Sequence, residues 1–265
     1  MVRRITAIAL AAAFWTMTCD KRTAVDPGPD IFTLIDSLTN ISKFGIGFHP
    51  SADFAGFIAA DTMPRFCGGI IGSRQPAANW AMKELVKKGV YSLPILLEHL
   101  DDQRPTRVTV GDSIPLLGAQ VFGREYHHRN ANESRHWMTD LRNATPLEGK
   151  YTLKIGDICF CLVGQIVNRD LQAVRYQPTS IIIVNSPVSD SILRQLMRSE
   201  WNTLTIEEHI NLLMTDIMAA HDESRSAGAF ERLKYYYPEY VKKLKISSRH
   251  DAVNRARDLL KNKSM

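Results

Sequence analysis

The chain has 265 residues, an apolar content of 45% and a formal net charge of +5. A chain of this length can bury a proper hydrophobic core in one large or two small domains, so its four cysteines are not needed as a disulfide framework. The G-x-S-x-G, H-E-x-x-H, P-loop and G-x-G-x-x-G motifs are missing from the sequence, which excludes the commonest hydrolase, metalloprotease and nucleotide-binding signatures.

The N-terminus has the pattern of an export signal. Arg3 and Arg4 precede an uncharged run at residues 5–18, which corresponds to a basic n-region followed by an apolar h-region. That run has 14 residues, fewer than the roughly 20 that a helix needs to span a bilayer. We therefore expect residues 1–19 to be a signal segment, residues 20–29 to be a tether, and the remaining chain to be exported.

A cysteine follows the uncharged run directly, in the sequence TMTCD. This stretch resembles the lipobox of bacterial lipoproteins, although Thr16 stands where the motif usually has Leu. The resemblance implies that Cys19 is acylated and becomes the mature N-terminus, which would attach the protein to a membrane. Cleavage by ordinary signal peptidase after a nearby small residue is the alternative. Either route places the protein in the cell envelope or periplasm.

Removal of the signal segment lowers the net charge to +3, because Arg3 and Arg4 are lost. Outside the cytoplasm, so modest a basic excess indicates an anionic envelope component, such as a wall polymer or lipid head groups, or a protein partner. It does not indicate nucleic acid.

Residues 30–102 have a helical pattern. Asp30 can cap a first helix, and the sequence PAANWAMKELVKKGVYSLPILLEHLDDQRPT contains two apolar stripes separated by Gly89 and Ser92. The residues LVKKGVYSLPILLEHLDD are similar to one HEAT repeat, covering residues 76–102. A solenoid needs about three stacked units, and the chain has no second copy. The resemblance therefore implies a helix pair used as a packing unit.

Residues 103–188 are predicted to form a β-rich core. Residues 158–163 are apolar at every position, which is typical of a strand covered on both faces, and residues 168–170 would form the following turn. Cys159 and Cys161 would lie side by side on this strand. We interpret them as small buried hydrophobic residues, since no other Cys or His lies close enough in sequence to complete a metal site. No metal or cofactor is expected.

Residues 189–265 return to a helical pattern, with a capping box at Thr205 and Glu208. Lys242, Lys243 and Lys245 form a basic cluster that we interpret as a solvated face. Taken together, the three regions predict an α+β fold in which helical segments flank a small, mostly antiparallel sheet.

The sequence NRDLQAVRYQPT is the candidate binding site. It places two guanidiniums, an aromatic ring and two amides at the ends of predicted strands, and arginine offers paired donors that match carboxylates and phosphates. These residues could instead hold the strands to the neighbouring helices by bonding backbone carbonyls. The candidate ligand-binding residues are Asn168, Arg169, Arg175, Tyr176 and Gln177.

An enzyme is the alternative from another class. Cys67 precedes two glycines in FCGGIIG, and a thiolate paired with His127 would be the basis of a Cys-His hydrolase. The sequence GDICF also resembles the Gly-Asp turn that opens a barrel strand in wall-directed cysteine peptidases. However, that family's cysteine lies on a well-formed helix, which is not predicted at Cys67. The sequence therefore favours a non-catalytic exported envelope protein, a binding or structural factor.

Overall fold

The computed structural model describes residues 29–42, 57–60, 79–110, 121–123, 146–147, 150–176, 182–218 and 223–263. Only the backbone is described at residues 110, 121–123, 146–147, 175–176, 182–183 and 259–263. The chain divides between Asp30 and Ile31, and Ile31–Met265 forms a compact unit of its own.

Most of the described residues are helical. The α-helices in this part of the chain are α1 Ile31–Ser37, α2 Trp80–Lys87, α3 Leu93–Glu98, α4 Ile155–Val167, α5 Ser191–Trp201, α6 Ile206–Ile217, α7 Glu223–Tyr236, α8 Pro238–Lys243 and α9 Arg249–Lys263. Short 3-10 turns lie at Leu38–Asn40, Ile58–Ala60, Gly89–Tyr91 and His99–Asp101. None of these helices has both the length and the apolar composition required to cross a membrane.

The strands within the described residues form two small sheets. One pairs β1 Pro105–Val110 with β4 Tyr151–Lys154 in antiparallel register. The strands of the other sheet are β2 Val121–Gly123, β3 Pro146–Leu147, β5 Val174–Tyr176 and β6 Ile182–Val184. Their order is β3-β2-β6-β5, with β2 and β6 parallel and the outer pairs antiparallel. The prediction of an α+β fold with helices flanking a small, mostly antiparallel sheet is confirmed.

The helix α4 corrects the sequence analysis. The prediction of a strand at residues 158–163 is wrong, because these residues lie within a helix whose 13 residues are all buried. A segment that is covered on every side has apolar residues at every position, whether it is a strand or a helix, so periodicity cannot separate the two. At the start of the helix the Asp157 carboxylate accepts a 2.9 Å hydrogen bond from the backbone nitrogen of Lys154, and after Val167 the helix is capped by Asn168, which has left-handed backbone angles.

The two cysteines of α4 are buried free thiols, as expected of small hydrophobic residues. They do not share a strand face, because residues two positions apart on a helix point in nearly opposite directions. Burial raises the pKa of both thiols, that of Cys161 to about 12. Neither is therefore present as a reactive thiolate near neutral pH.

The helix α4 lies at the centre of the main apolar cluster and packs against α2, α3 and α6. Gly156 permits this packing at the N-terminal end, since a Cβ there would collide with the carbonyl oxygen of Leu100. The main cluster contains residues from all three predicted segments, among them Leu34, Phe160 and Trp201. A second apolar cluster joins α6, α7 and α9.

The helix pair predicted within residues 76–102 is present as α2 and α3. Asn79 caps α2 by accepting a 2.8 Å hydrogen bond from the backbone nitrogen of Ala81. Gly89 follows with a φ of 58°, which a glycine adopts without steric cost. The Ser92 hydroxyl donates back to the carbonyl oxygens of Leu85 and Gly89 and so closes the turn. The likeness to a HEAT repeat stays a prediction.

Candidate functional site

Polar side chains gather at both ends of α4. We call the group beyond its C-terminal end the C-terminal cluster and the group at its first turn the N-terminal cluster. The C-terminal cluster consists of Asn168, Arg169, His209, Asp216, Arg225 and Arg232. The N-terminal cluster consists of Tyr151, Asp157 and Ser186.

The Asp216 carboxylate is the centre of the C-terminal cluster. Its side chain is only 1% exposed, and it accepts hydrogen bonds from three residues. Arg169 Nη1 lies at 2.6 Å and Asn168 Nδ2 at 2.9 Å from Oδ2, while Arg225 binds Oδ1 through Nη2 at 2.7 Å and Nε at 2.9 Å. A buried carboxylate is tolerated only when it is paired and fully hydrogen-bonded, and Asp216 meets that condition.

The same cluster occupies the carbonyl oxygens at the C-terminal end of α4. Arg169 Nη1 donates to the carbonyl of Asn168 at 2.9 Å, and Arg232 Nε donates to that of Gln165 at 2.6 Å. The last carbonyls of a helix have no partner within the helix and carry partial negative charge, so cations stabilise them. Arg232 is buried over the ring of Phe57, and burial lowers its pKa to about 10. It remains a cation at neutral pH.

His209 is fully buried, and both of its ring nitrogens are engaged. Nε2 lies 3.0 Å from the carbonyl oxygen of Ile166, and Nδ1 lies 2.7 Å from the hydroxyl of Tyr237. A carbonyl can only accept, so Nε2 carries the proton and Nδ1 accepts from Tyr237. Burial lowers the pKa of His209 to about 4, which makes it neutral at pH 7. With its lone pair already bonded, this histidine is not available as a general base.

We expect His209 to make the protein sensitive to acid. Its pKa is lower in the folded protein, at about 4, than the ordinary value of 6.5 that applies when unfolded. As pH falls from 6.5 toward 4, the ring is protonated in the unfolded chain but not in the folded protein. The free energy of unfolding therefore decreases over this range by on the order of 3 kcal/mol. Urea unfolding at several pH values should show this loss. Replacement of His209 with Gln should flatten the profile, whereas replacement of the exposed His250 with Gln should not.

A profile that is equally steep in His209→Gln would contradict this assignment. The other charged groups that act on the His209 ring are the side chains of Arg232 and Asp216, and that of Arg169 further along the same cluster. Arg232 and Arg169 disfavour the protonated ring, whereas Asp216 favours it. Comparison of the variant with the unmodified protein at each pH separates the contribution of His209 from theirs.

The N-terminal cluster is a closed ring of three oxygen contacts. Ser186 Oγ lies 2.6 Å from Asp157 Oδ1, Tyr151 Oη lies 2.7 Å from Asp157 Oδ2, and the two hydroxyls are 2.8 Å apart. The Tyr151 hydroxyl donates to both Asp157 Oδ2 and Ser186 Oγ, the Ser186 hydroxyl donates to Oδ1, and the backbone nitrogen of Lys154 donates to Oδ2 at 2.9 Å. Burial raises the pKa of Asp157, against the opposing effect of these hydrogen bonds. The ring holds α4 to β4 and to the loop after β6.

The structure brings two of the candidate ligand-binding residues into the C-terminal cluster. The Arg169 guanidinium is 11% exposed, stacks near Trp201 and donates to Asp216 and to backbone carbonyls. The Asn168 amide donates to Asp216 and to the carbonyl of Arg225. These contacts favour the structural interpretation of both side chains.

The remaining candidates cannot be joined to that cluster. Arg175 and Tyr176 lie on β5, paired with Ile183 and Ile182 of β6, and their side chains are outside the described residues, as is Gln177. Cys19, Cys67 and His127 also lie outside the described residues. The Cys-His hydrolase interpretation and the lipidation of Cys19 therefore stay predictions.

The sequence analysis missed most of the residues that form these clusters. His209 and Asp216 are seven positions apart on α6, on the same face as the buried Leu213. A polar residue that interrupts an apolar stripe at helical spacing is a signal of a buried hydrogen-bonded group. Asp157 lies within the sequence GDICF, and its role at the start of a helix was hidden by the wrong strand prediction.

Comparison of the chain with protein-family models, with curated proteins and with solved structures finds no match.

Proposed function

We propose that the protein is a non-catalytic binding or structural factor that is exported to the cell envelope. The observation that carries the proposal is the division of the chain between Asp30 and Ile31. The predicted signal segment and tether end at residue 29, and the compact unit begins at Ile31, two residues later. This agreement supports an N-terminal segment that serves export and attachment rather than the folded core.

The chemistry of α4 and its surroundings supports a role without catalysis. The groups in this region that could act as nucleophile or base are already engaged by the fold: the two thiols of α4 are buried with raised pKa values, and His209 has both ring nitrogens bonded. Asp216 pairs with two guanidiniums. These groups stabilise the end of a central helix, which is what a binding or structural factor needs from its core.

Replacement of Cys19 with Ser tests the proposal. If the cysteine is acylated, the unmodified protein should be found with membranes, and its mature mass should correspond to a chain beginning at Cys19 with added acyl groups. The variant should lose membrane attachment, because attachment depends on buried acyl CH₂ groups. Cell fractionation and intact-mass spectrometry provide the measurement, with Cys67→Ser as the control that leaves attachment unchanged.

Cleavage by ordinary signal peptidase gives a different result that still supports export. The mature protein would then be free in the periplasm, without acyl groups, and Cys19→Ser would change nothing. The proposal is wrong if the protein retains residues 1–18 and stays in the cytoplasm.

A further inference from the structure

The basic excess of the chain lies in its last two helices and the turn that joins them. Residues 238–265 contain eight lysines and arginines and three acidic residues, a net charge of +5 that equals the net charge of the whole chain. The other 237 residues therefore balance to zero. An excess concentrated in one segment produces a local positive potential that a uniform distribution would not.

Several cations of this segment are exposed and have no acidic partner among the described side chains. We call them the basic surface; they are Lys242, Lys243, Lys245, Arg255 and Arg257. The nearby acid Asp251 is occupied at the start of α9, where it accepts from the backbone nitrogens of Ser247 and Ser248. Arg249 differs from the basic surface, because it pairs with Glu223 at 3.0 Å.

Lys245 occupies a position where glycine is normally preferred. The backbone nitrogen of Ile246 donates to the carbonyl of Val241 and that of Lys245 donates to Lys242, which is the Schellman pattern that ends a helix. Lys245 is the left-handed residue of this motif, with a φ of 55°. A side chain at this φ has a steric cost that glycine avoids.

Asn168 is the other described non-glycine residue with positive φ, and the contact of its side chain accounts for this conformation. Asn168 uses its side chain to bind Asp216, whereas the side chain of Lys245 is exposed and makes no described contact. Below it, Ile246 is 7% exposed and belongs to the second apolar cluster, so the turn is held firmly. Lys245 is exposed and is present here despite its steric cost, which suggests that its positive charge has a function.

We propose that the basic surface binds the anionic phosphate head groups of a membrane. Lysine ammonium groups are point charges, which suit a plane of many phosphates better than a single shaped ligand. Nucleic acid would call for exposed aromatic rings on which bases stack, and the sole aromatic residue of α8 and α9 is the half-buried Tyr240. The proposal rests on the proposed function, since an exported protein with its N-terminus at the envelope meets such a surface.

Replacement of Lys245 with Gly is expected to have opposite effects on vesicle binding and on thermal stability. The variant should melt at a higher temperature, because the left-handed residue becomes glycine, and yet bind anionic vesicles about fivefold more weakly, because one lysine near such a surface contributes about that factor. Binding of the purified full chain is measured by sedimentation with vesicles of phosphatidylglycerol and phosphatidylcholine. Vesicles of phosphatidylcholine alone provide the baseline, so attachment that does not depend on anionic head groups is subtracted.

Two further variants complete the test. The double replacement Lys242→Gln and Lys243→Gln should weaken binding by about 25-fold, and added salt should remove the difference. Lys87→Gln removes an exposed lysine of α2 that pairs with Glu84, and it should leave binding unchanged.

The proposal is overturned if Lys245→Gly binds as tightly as the unmodified protein or melts at a lower temperature. It is also overturned if Lys87→Gln weakens binding as much as Lys245→Gly, or if single-stranded DNA binds the basic surface more tightly than the vesicles do. These measurements use purified protein, so their failure is distinct from a failure of export, which is decided by the mature mass and location of the protein in cells.

Discussion

Replacing Val163 with Asp is expected to abolish the folded state. Val163 lies in the middle of α4, is completely buried and belongs to the main apolar cluster. A buried charge without a partner costs several kcal/mol, and the total stability of a domain is only about 5–15 kcal/mol. The circular dichroism spectrum should show loss of the folded structure. If a cooperative transition remains in urea, the free energy of unfolding should be lower by several kcal/mol.

A matched control introduces the same charge on the surface. Ile192 is 54% exposed in the first turn of α5, where an acidic residue interacts favourably with the helix dipole. Ile192→Asp should therefore change the free energy of unfolding by less than about 1 kcal/mol. Folded Val163→Asp protein with an unchanged melting temperature would show that α4 is not the buried centre of the fold.

Replacing Asp216 with Asn should have the second largest effect. The change preserves the shape of the side chain but removes the negative charge that Arg169 and Arg225 share. Loss of one partner from a buried ion pair leaves an uncompensated charge and costs about 3–5 kcal/mol. Chemical unfolding with guanidinium or urea measures this loss, and the far-ultraviolet spectrum shows whether α4 remains helical.

The exposed pair of Arg249 and Glu223 provides the control. The Glu223 side chain is 84% exposed, and its contact with Arg249 is 3.0 Å. Glu223→Gln should cost less than about 1 kcal/mol, because exposed ion pairs contribute little. If the two substitutions cost the same, the carboxylate of Asp216 is not the buried centre of the C-terminal cluster, and the structural interpretation of Arg169 loses its basis.

Helix ends with local signals could be predicted from the sequence. The capping box of Thr205 and Glu208 begins α6 as expected, and the Asp190 side chain caps α5. Gly89 ends the first helix of the predicted pair with the backbone angles for which glycine is suited. These signals depend on residues within four positions of one another, so they do not require knowledge of the tertiary structure.

The central helix could not be predicted from its pattern. Residues 155–167 are enclosed on all sides, so they lack the amphipathic period that identifies a surface helix. The local signal at its start is Asp157, whose carboxylate accepts from the backbone nitrogen of Lys154, but Lys154 lacks the side-chain acceptor that would complete a capping box. The apolar run was therefore consistent with a strand, and tertiary burial decided its structure.

The candidate site could be predicted only as a set of donors. Arg169 and Asn168 were identified as hydrogen-bonding residues, but their acceptor Asp216 lies 47 and 48 positions later in the chain. No pattern in one sequence specifies a pairing over that distance. The choice between a recognition surface and an internal ion pair therefore required the tertiary structure.

The side chains that bond the last carbonyls of α4 are synthesised after the helix itself, and this sets an order for folding during synthesis. The helix ends at Val167, but the groups that satisfy its last carbonyls come from His209 and Arg232. At a synthesis rate of roughly 5–20 residues per second, Arg232 follows Val167 by several seconds. Over that interval the last carbonyls of α4 lack these partners, so the helix cannot reach its final buried state until Arg232 has been synthesised.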